Sequence, residues 1–415
     1  MNLKSIVFIL FISLNLNLVA QEVQWRGPNR DGKYPDTNLL QEWPDGGPKR
    51  VLLKGKLGSG YASPVVYNDV IYITGRRDSF DVLTALTMKG DVLWETTIGK
   101  SWPSSYPDSR STPTIENNRI YVTASLGTVN CINAETGEII WAVNTHEKYK
   151  GEFHIWGMAE SILLTETAVI SSPTGKETAM VALSKVDGSL IWKTKSMGDV
   201  RSYASPLLIE YNGVKQIVGI TSENVLSVNP ETGDINWSYN LKKGHAHGVN
   251  NINTNTPLYH DGEIYVTRGY NAESVMLKMA EDSKSVSLKW SNKALDTHHG
   301  GVVLLDGYIY GSNWLNNGKG NWLCQEWETG KIMYEEKWHN KGQIIFADKR
   351  LYIYEEKQGN VGLIEPNPSK FILKGTFKID EGNGPHWGHP TIYNGYLLIR
   401  HGKALMIYDI RKDRS

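Results

Sequence analysis

A repeat with a period in the forties runs through almost the whole chain. In each copy, a turn of Asn, Asp or Gly precedes a short apolar and aromatic strand, as in residues 68–74 (NDVIYIT) and 117–123 (NNRIYVT). The copies start near residues 71, 120, 168, 217, 264, 309, 351 and 397, which are 42 to 49 residues apart. A fixed period of this length, with each unit built from hairpins, is typical of β-propeller blades.

Each copy continues with a third strand, a tight turn and a fourth strand that ends on an aromatic residue. We expect this ring to fill the wedge between neighbouring sheets; the residues are Trp94, Trp141, Trp192, Trp237, Trp290, Tyr334 and Phe377. Seven copies are complete, whereas the eighth, from His389 to Ser415, has only three strands. Residues 51–53 (VLL) can supply the missing strand and so close the ring.

The predicted fold is therefore all-β: an eight-bladed β-propeller of four-stranded antiparallel blades in a single domain, residues 21–415. Within it, residues 21–48 form a lead-in and residues 49–57 contain the closing strand. Cys131 and Cys324 occupy equivalent places four units apart, half a turn of the ring. A disulfide needs Cα atoms within about 7 Å, so we expect two free, buried thiols.

The N-terminus has the pattern of a secretory signal peptide. Lys4 precedes an apolar run over residues 6–18, and Ala20 is a small residue before Gln21. No Cys follows this run to carry a lipid anchor, and no later segment is apolar enough to span a membrane. We therefore expect residues 1–20 to be removed and the mature protein to be periplasmic or secreted.

Charge argues against nucleic acid as a partner. The chain has 44 Lys and Arg against 44 Asp and Glu, so its formal net charge is zero. A neutral chain has no net field that attracts a polyanion.

Polar and aromatic residues precede the innermost strand of each blade, where the loops converge on one end of the central channel. We predict a ligand site for a small molecule or glycan there, against the alternative of a water-filled polar pore. The predicted ligand-binding residues are Tyr61, Arg110, Trp156, Glu160, Tyr203, Asn253, His298, His299, Trp387 and His389.

Acid–base chemistry is the catalytic alternative at this site. Arg110 would neutralise a carboxylate or a developing enolate, and Tyr203, Tyr61 or His298 would remove or return a proton. Trp156 and Trp387 would stack on sugar rings. A metal bound by His298 or His299 with His389 and Glu160 is the less favoured interpretation, because adjacent residues of an extended segment point to opposite sides. We predict no metal site. A second histidine pair, His245 and His247, could hold a metal or an anion, or simply belong to a flexible loop.

The repeat resembles the pyrroloquinoline-quinone-like, quinoprotein alcohol dehydrogenase-like β-propeller family, which includes redox enzymes and an outer-membrane assembly lipoprotein. The resemblance rests on residues 133–141 (NAETGEIIW), 25–32 (WRGPNRDG), 110–113 (RSTP), 156–161 (WGMAES), 298–301 (HHGG) and 387–390 (WGHP). For a dehydrogenase it would imply pyrroloquinoline quinone and Ca²⁺, held beside adjacent cysteines and carboxylates. The two cysteines here are far apart, so we expect no cofactor.

These observations predict an exported binding or scaffold protein with a polar ligand site in the central funnel and an envelope protein as partner. The alternative is an enzyme acting on a carbohydrate or polyol through Arg, Tyr and His of the funnel. A quinone-dependent alcohol dehydrogenase ranks last.

Overall fold

The computed structural model describes residues 22–245 and 251–412. The predicted signal peptide, residues 1–20, lies outside the described residues. Eight four-stranded antiparallel sheets follow one another along the chain, which confirms the eight-bladed propeller. The single α-helix in the described part, α1 (Thr145–Lys148), is one turn long and precedes blade 3.

The first four blades have their strands in sequence order from the channel outwards. They are blade 1, β2 (Val65–Tyr67), β3 (Val70–Arg77), β4 (Phe80–Thr87) and β5 (Val92–Lys100); blade 2, β6 (Thr114–Glu116), β7 (Arg119–Thr123), β8 (Thr128–Asn133) and β9 (Ile139–Asn144); blade 3, β10 (Leu163–Leu164), β11 (Ala168–Ser171), β12 (Thr178–Ser184) and β13 (Leu190–Lys195); and blade 4, β14 (Leu207–Tyr211), β15 (Val214–Ile220), β16 (Asn224–Val228) and β17 (Ile235–Asn240).

The last four blades repeat this order, except that the eighth takes its outermost strand from the N-terminal region. They are blade 5, β18 (Leu258–His260), β19 (Glu263–Val266), β20 (Ser274–Met279) and β21 (Val286–Asn292); blade 6, β22 (Val302–Leu305), β23 (Tyr308–Ser312), β24 (Trp322–Glu326) and β25 (Ile332–Glu336); blade 7, β26 (Gly342–Ala347), β27 (Arg350–Glu355), β28 (Asn360–Glu365) and β29 (Ile372–Lys378); and blade 8, β30 (Thr391–Tyr393), β31 (Tyr396–His401), β32 (Ala404–Asp409) and β1 (Lys49–Lys54).

Ring closure follows the prediction. Strand β1 pairs antiparallel with β32, with Leu53 opposite Met406 and Lys54 opposite Leu405.

Buried apolar side chains form eight clusters among the described residues, and each cluster fills the space between two neighbouring blades. Both cysteines are free and buried, as predicted, Cys131 in blade 2 and Cys324 in blade 6.

In blades 1 to 7 the aromatic residue of the fourth strand packs in the apolar cluster between its own blade and the next one. The indole Nε1 of Trp94 in blade 1 donates to the Ala134 carbonyl in blade 2 at 3.2 Å. The adjacent turn glycine, Gly137, has φ +75°, and a Cβ there would lie 2.6 Å from the Trp94 ring. This position of the Thr-Gly turn therefore requires glycine for two reasons: the backbone conformation is left-handed, and the Trp94 ring leaves no room for a Cβ.

The lead-in enters the central channel and plugs it. Val23 pairs with Ile115 of β6. The Tyr34 N–H donates to the Phe346 carbonyl of β26, and the Phe346 N–H donates to the Gly32 carbonyl. Between them the chain turns back on itself. Among residues 22–245 and 251–412, no helix is long and apolar enough to cross a membrane.

Two buried arginines fix this plug to opposite sides of the channel. Arg26 donates to the carbonyls of Gly300, Val302 and Ile344, in or just before the inner strands of blades 6 and 7. Arg30 donates to carbonyls just before the inner strands of blades 3 and 4, those of Ser161, Ile162 and Pro206. The lead-in therefore lies across the channel, between blades 6 and 7 on one side and blades 3 and 4 on the other.

Candidate functional site

A cavity of about 290 Å³ lies at the end of the channel where the loops between blades meet, above the plug. Its size is just below the range of about 300–1,000 Å³ that is usual for small-molecule sites. Aromatic rings form most of its wall, namely Trp25, Tyr61, Tyr106, Trp156, Tyr203, Tyr270 and Trp387. Its charged and titratable side chains are Arg110, His298, His299, Glu356 and His389.

Eight of the ten predicted site residues line this cavity, and Glu160 and Asn253 do not. Glu160 is buried, and its carboxylate accepts hydrogen bonds from the backbone N–H and the hydroxyl of Ser172. Asn253 is fully buried, where it donates to the carbonyls of Thr221 and Ser222 and accepts from Arg268. Both side chains stabilise loops behind the wall, so the structure gives no support for their contact with a ligand.

His298 and His299 both face the cavity, so the expectation that they point to opposite sides is wrong. Their ring centroids are 4.0 Å apart with an interplanar angle of 38°. The segment before β22 is a bend and not an extended strand. The alternation of side chains in a strand therefore does not apply here.

Glu356 is the carboxylate at the centre of the polar end of the cavity. Its Oε2 lies 3.0 Å from Nδ1 of His298 and 3.6 Å from Nε2 of His299, and its Oε1 lies 2.8 Å from Nζ of Lys341. Burial alone would raise the pKa of Glu356, but the contact with His298 and the charge of Lys341 outweigh burial and lower that pKa to about 2. The group is a carboxylate throughout the physiological range.

The two other histidines of the cavity are held neutral. Burial, followed by the charge of His298, lowers the pKa of His299 well below its usual value. Burial and the neighbouring Arg26 do the same to the pKa of His389. Arg26 can only donate to Nδ1 of His389 (3.1 Å), so Nε2 of His389 carries the proton and donates to the His299 carbonyl (2.9 Å).

The three catalytic candidates Arg110, Tyr203 and His298 line the same cavity. Burial raises the pKa of Tyr203, although its hydroxyl oxygen accepts the backbone N–H groups of Ile155 and Trp156 at 2.9 and 2.8 Å. A neutral phenol can give a proton more readily than take one. Burial also lowers the pKa of Arg110, whose Nη2 donates to the Tyr106 carbonyl. Its Nη1 is buried without a hydrogen-bond partner among the described residues.

The sequence analysis missed several residues of the cavity, including its remaining aromatic and charged side chains: Trp25, Tyr106, Tyr270 and Glu356. Tyr270 and Glu356 lie in turns between the second and third strands of their blades. In an antiparallel blade these turns are on the same face as the loops between blades. Following the alternating direction of the strands in each blade could therefore have found both residues. No sequence pattern places Trp25 of the plug beneath the cavity.

His245, in the loop after β17, is not among the residues that line this cavity. Nε2 of His245 lies 2.7 Å from the hydroxyl of Tyr239. His247 lies outside the described residues.

Pyrroloquinoline quinone with Ca²⁺ does not fit the residues of the cavity. Glu356 is the one carboxylate among the described residues that line it. Cys131 and Cys324 are buried inside blades 2 and 6 and do not line the cavity. Calcium prefers six to eight oxygen ligands, which this wall does not offer.

The comparison with protein families agrees with the repeat and the fold. The family model described as outer membrane protein assembly factor BamB matches residues 41–179 and 79–334, which together cover residues 41–334. The chain belongs to this family. Individual members of the family have low sequence identity to this chain or match only a short part of it.

BamB of Escherichia coli K12 is 32% identical over 113 residues, and the chain spans 27% of the length of that protein. A longer match, to BamB of Yersinia pestis, is 22% identical over 332 residues and covers 74% of this chain and 75% of that protein.

Solved structures share the fold at low sequence identity. BamB of Moraxella catarrhalis superposes with a TM-score of 0.60 at 13% identity, covering 87% of this chain and 99% of that chain. Quinohemoprotein alcohol dehydrogenase of Comamonas testosteroni has a TM-score of 0.67 at 11% identity, covering 93% and 80%. A europium-containing methanol dehydrogenase has a TM-score of 0.66 at 11% identity, covering 92% and 90%.

Proposed function

We propose that this protein is an exported binding or scaffold propeller whose central cavity takes a sugar-sized ligand with a carboxylate group. One observation carries the ligand proposal. The blind cavity combines a wall of aromatic rings with Arg110, whose buried Nη1 has no acceptor among the described residues.

The aromatic rings suit the apolar faces of a sugar. Tyr106 stands at the rim with 47% of its surface exposed, and its ring lies 5.1 Å from that of Trp387 and 6.4 Å from that of Trp156. Flat rings provide large contact areas at small cost in conformational entropy. A carboxylate placed near Arg110 would give its guanidinium a charge-assisted hydrogen bond.

A matched ligand series tests this proposal. The purified chain is titrated by calorimetry with galacturonate and glucuronate oligosaccharides and with the neutral oligosaccharides of the same linkage. We expect the acidic sugars to bind and their neutral counterparts to bind at least about 10-fold more weakly, since one charge-assisted hydrogen bond contributes about 1.5–3 kcal/mol.

Two variants connect the binding to the cavity. Arg110→Gln is expected to remove the preference for the acidic sugar, whereas Arg77→Gln, an exposed arginine paired with Glu95 outside the cavity, is expected to retain it. Failure of every sugar to bind, or an equal loss in both variants, would contradict the ligand proposal. Mass spectrometry of the recovered oligosaccharides distinguishes binding from turnover; products that disappear with His298→Ala would favour the enzyme instead.

The family membership supports an envelope setting and a protein partner. The family description names the assembly of outer membrane proteins, and we carry that setting over to this chain as part of the proposal. Fractionation of the native host, with N-terminal sequencing of the protein, tests export: the expected first residue is Gln21. Crosslinking in intact cells tests the partner, and recovery of the protein solely as an uncrosslinked monomer would argue against a scaffold role.

A further inference from the structure

The polar end of the cavity brings together three side chains that commonly bind transition metals. His298, His299 and Glu356 each offer one ligand atom, and these three atoms all lie within 4.8 Å of one another; Oε2 of Glu356 is close to Nδ1 of His298 and Nε2 of His299. We infer that these three atoms form a binding site for a divalent transition-metal ion of the Zn²⁺ class. This inference goes beyond the proposed function and does not depend on it.

The separations match the ligand set of a tetrahedral ion. Zn²⁺ binds nitrogen and oxygen at about 2.0–2.2 Å, so neighbouring ligand atoms of a tetrahedral site are about 3.3–3.5 Å apart. Oε2 of Glu356 is 3.0 Å from the first imidazole nitrogen and 3.6 Å from the second. One of these distances is slightly shorter and the other slightly longer than a tetrahedral site requires. Small side-chain rotations would therefore bring the ligand atoms to one ion.

One of the three ligand atoms has no other role. Nε2 of His299 is buried and has no hydrogen-bond partner among the residues that the structure describes. A buried polar atom without a partner is uncommon in folded proteins and needs a physical reason. A metal ion beside Glu356 would provide one.

Each proposed ligand is held by a second contact. Nε2 of His298 lies 2.9 Å from the Tyr270 hydroxyl, and Oε1 of Glu356 lies 2.8 Å from Nζ of Lys341. His389 donates to the His299 carbonyl. Outer contacts of this kind orient metal ligands and are a regular part of metal sites. With the metal on Nδ1 of His298, the ring proton lies on Nε2, from where it can be donated to the Tyr270 hydroxyl oxygen.

Two imidazoles and one carboxylate suit Zn²⁺ better than Ca²⁺ or Mg²⁺, which prefer oxygen ligands. All three residues line the cavity, so the remaining coordination position faces the space where a ligand would enter. Lys341 contacts the other oxygen of Glu356, where its charge weakens but does not block cation binding. Arrangements with three protein ligands and one open position are typical of reactive zinc sites.

Metal titration of the whole chain tests the site without any sugar. Protein freed of metal with EDTA is titrated with Zn²⁺ by calorimetry and with Co²⁺ by visible absorption. We expect one ion per chain, and Co²⁺ absorption bands of a four- or five-coordinate site. The result is independent of the sugar titrations, so either proposal can fail alone.

The decisive variant is His299→Ala, because the removed nitrogen bonds to no other group and the fold should survive. We expect this variant to weaken Zn²⁺ binding by more than about 100-fold, beyond the 10–100-fold that outer contacts contribute. His339→Ala, an exposed histidine away from the cavity, is the matched control and should bind normally. Glu356→Gln provides a second test if it folds. No stoichiometric binding, or equal binding by wild type and His299→Ala, overturns the site.

Discussion

Nζ of Lys341 lies 2.8 Å from Oε1 of Glu356, and the lysine side chain has no exposed surface. This ion pair keeps a carboxylate charged at the buried end of a mostly aromatic cavity. The ammonium also donates to the Asn316 carbonyl at 2.9 Å. Removing one partner of such a pair leaves the other charge buried without compensation, whereas removing both does not.

A double-mutant cycle tests the stability of this pair. In EDTA, Glu356→Gln and Lys341→Met should each lower the free energy of unfolding by about 3–5 kcal/mol. The double variant should lose clearly less than the sum of the two, because no unpaired charge remains. Urea denaturation measures all four proteins. Strict additivity would mean that the two groups are not coupled.

The turn glycine of the repeat provides a second prediction. Gly137→Ala adds a methyl group against Trp94 and places Ala at φ +75°, while Gly213→Ala introduces the same φ strain with nothing within 4 Å. We expect Gly213→Ala to cost about 1 kcal/mol and Gly137→Ala clearly more, because the left-handed conformation alone costs about 1–2 kcal/mol. Thermal unfolding of both variants measures the difference. Equal losses would show that the ring contact does not constrain the turn.

Glu160 should make the stability depend on pH. Burial raises its pKa from 4.5 to about 7, although hydrogen bonds from Ser172 and the charge of Arg201 oppose the rise. Between these values the folded chain binds more protons than the unfolded chain. This residue's contribution to the free energy of unfolding therefore falls as pH rises from about 4.5 to 7, by up to about 3 kcal/mol.

The variant Glu160→Gln isolates this effect, since its amide oxygen can accept from the Ser172 N–H while its NH2 group donates to the Ser172 hydroxyl oxygen. Its free energy of unfolding should fall less than that of wild type between pH 5 and pH 8, and it should be the more stable protein at pH 8. Glu166→Gln, at an exposed position, should follow the wild-type pH dependence. Parallel curves for wild type and Glu160→Gln would show that Glu160 titrates near its ordinary pKa.

The two thiols should be inert in the folded protein. Cys131 and Cys324 have no exposed surface, and burial raises the pKa of Cys324 to about 12. The thiolate is the reactive form, so attack on a thiol reagent at pH 8 should be negligible. Ellman's reagent should detect no thiol in the native chain and two after denaturation in guanidinium. A native thiol count above zero would mean that a blade opens.

The sequence alone determined the repeating part of the molecule. The period gave the blade number, and the incomplete eighth copy predicted closure by residues 51–53, which lie in β1. These features are readable because each blade packs mainly on its neighbours, so the same local pattern must recur in every copy. The loops that precede the inner strands were predictable for the same reason, and eight of the ten residues chosen from them line the cavity.

Only the tertiary structure decided what closes the cavity and what charge it carries. Trp25 and Arg26 come from a lead-in with no equivalent in the repeat, and Glu356 comes from a turn that differs in every blade. The bend that turns His298 and His299 to the same side is also absent from the periodic pattern. These features depend on contacts between segments more than 50 residues apart, such as His298 with Glu356, and such contacts exist only after the ring has closed.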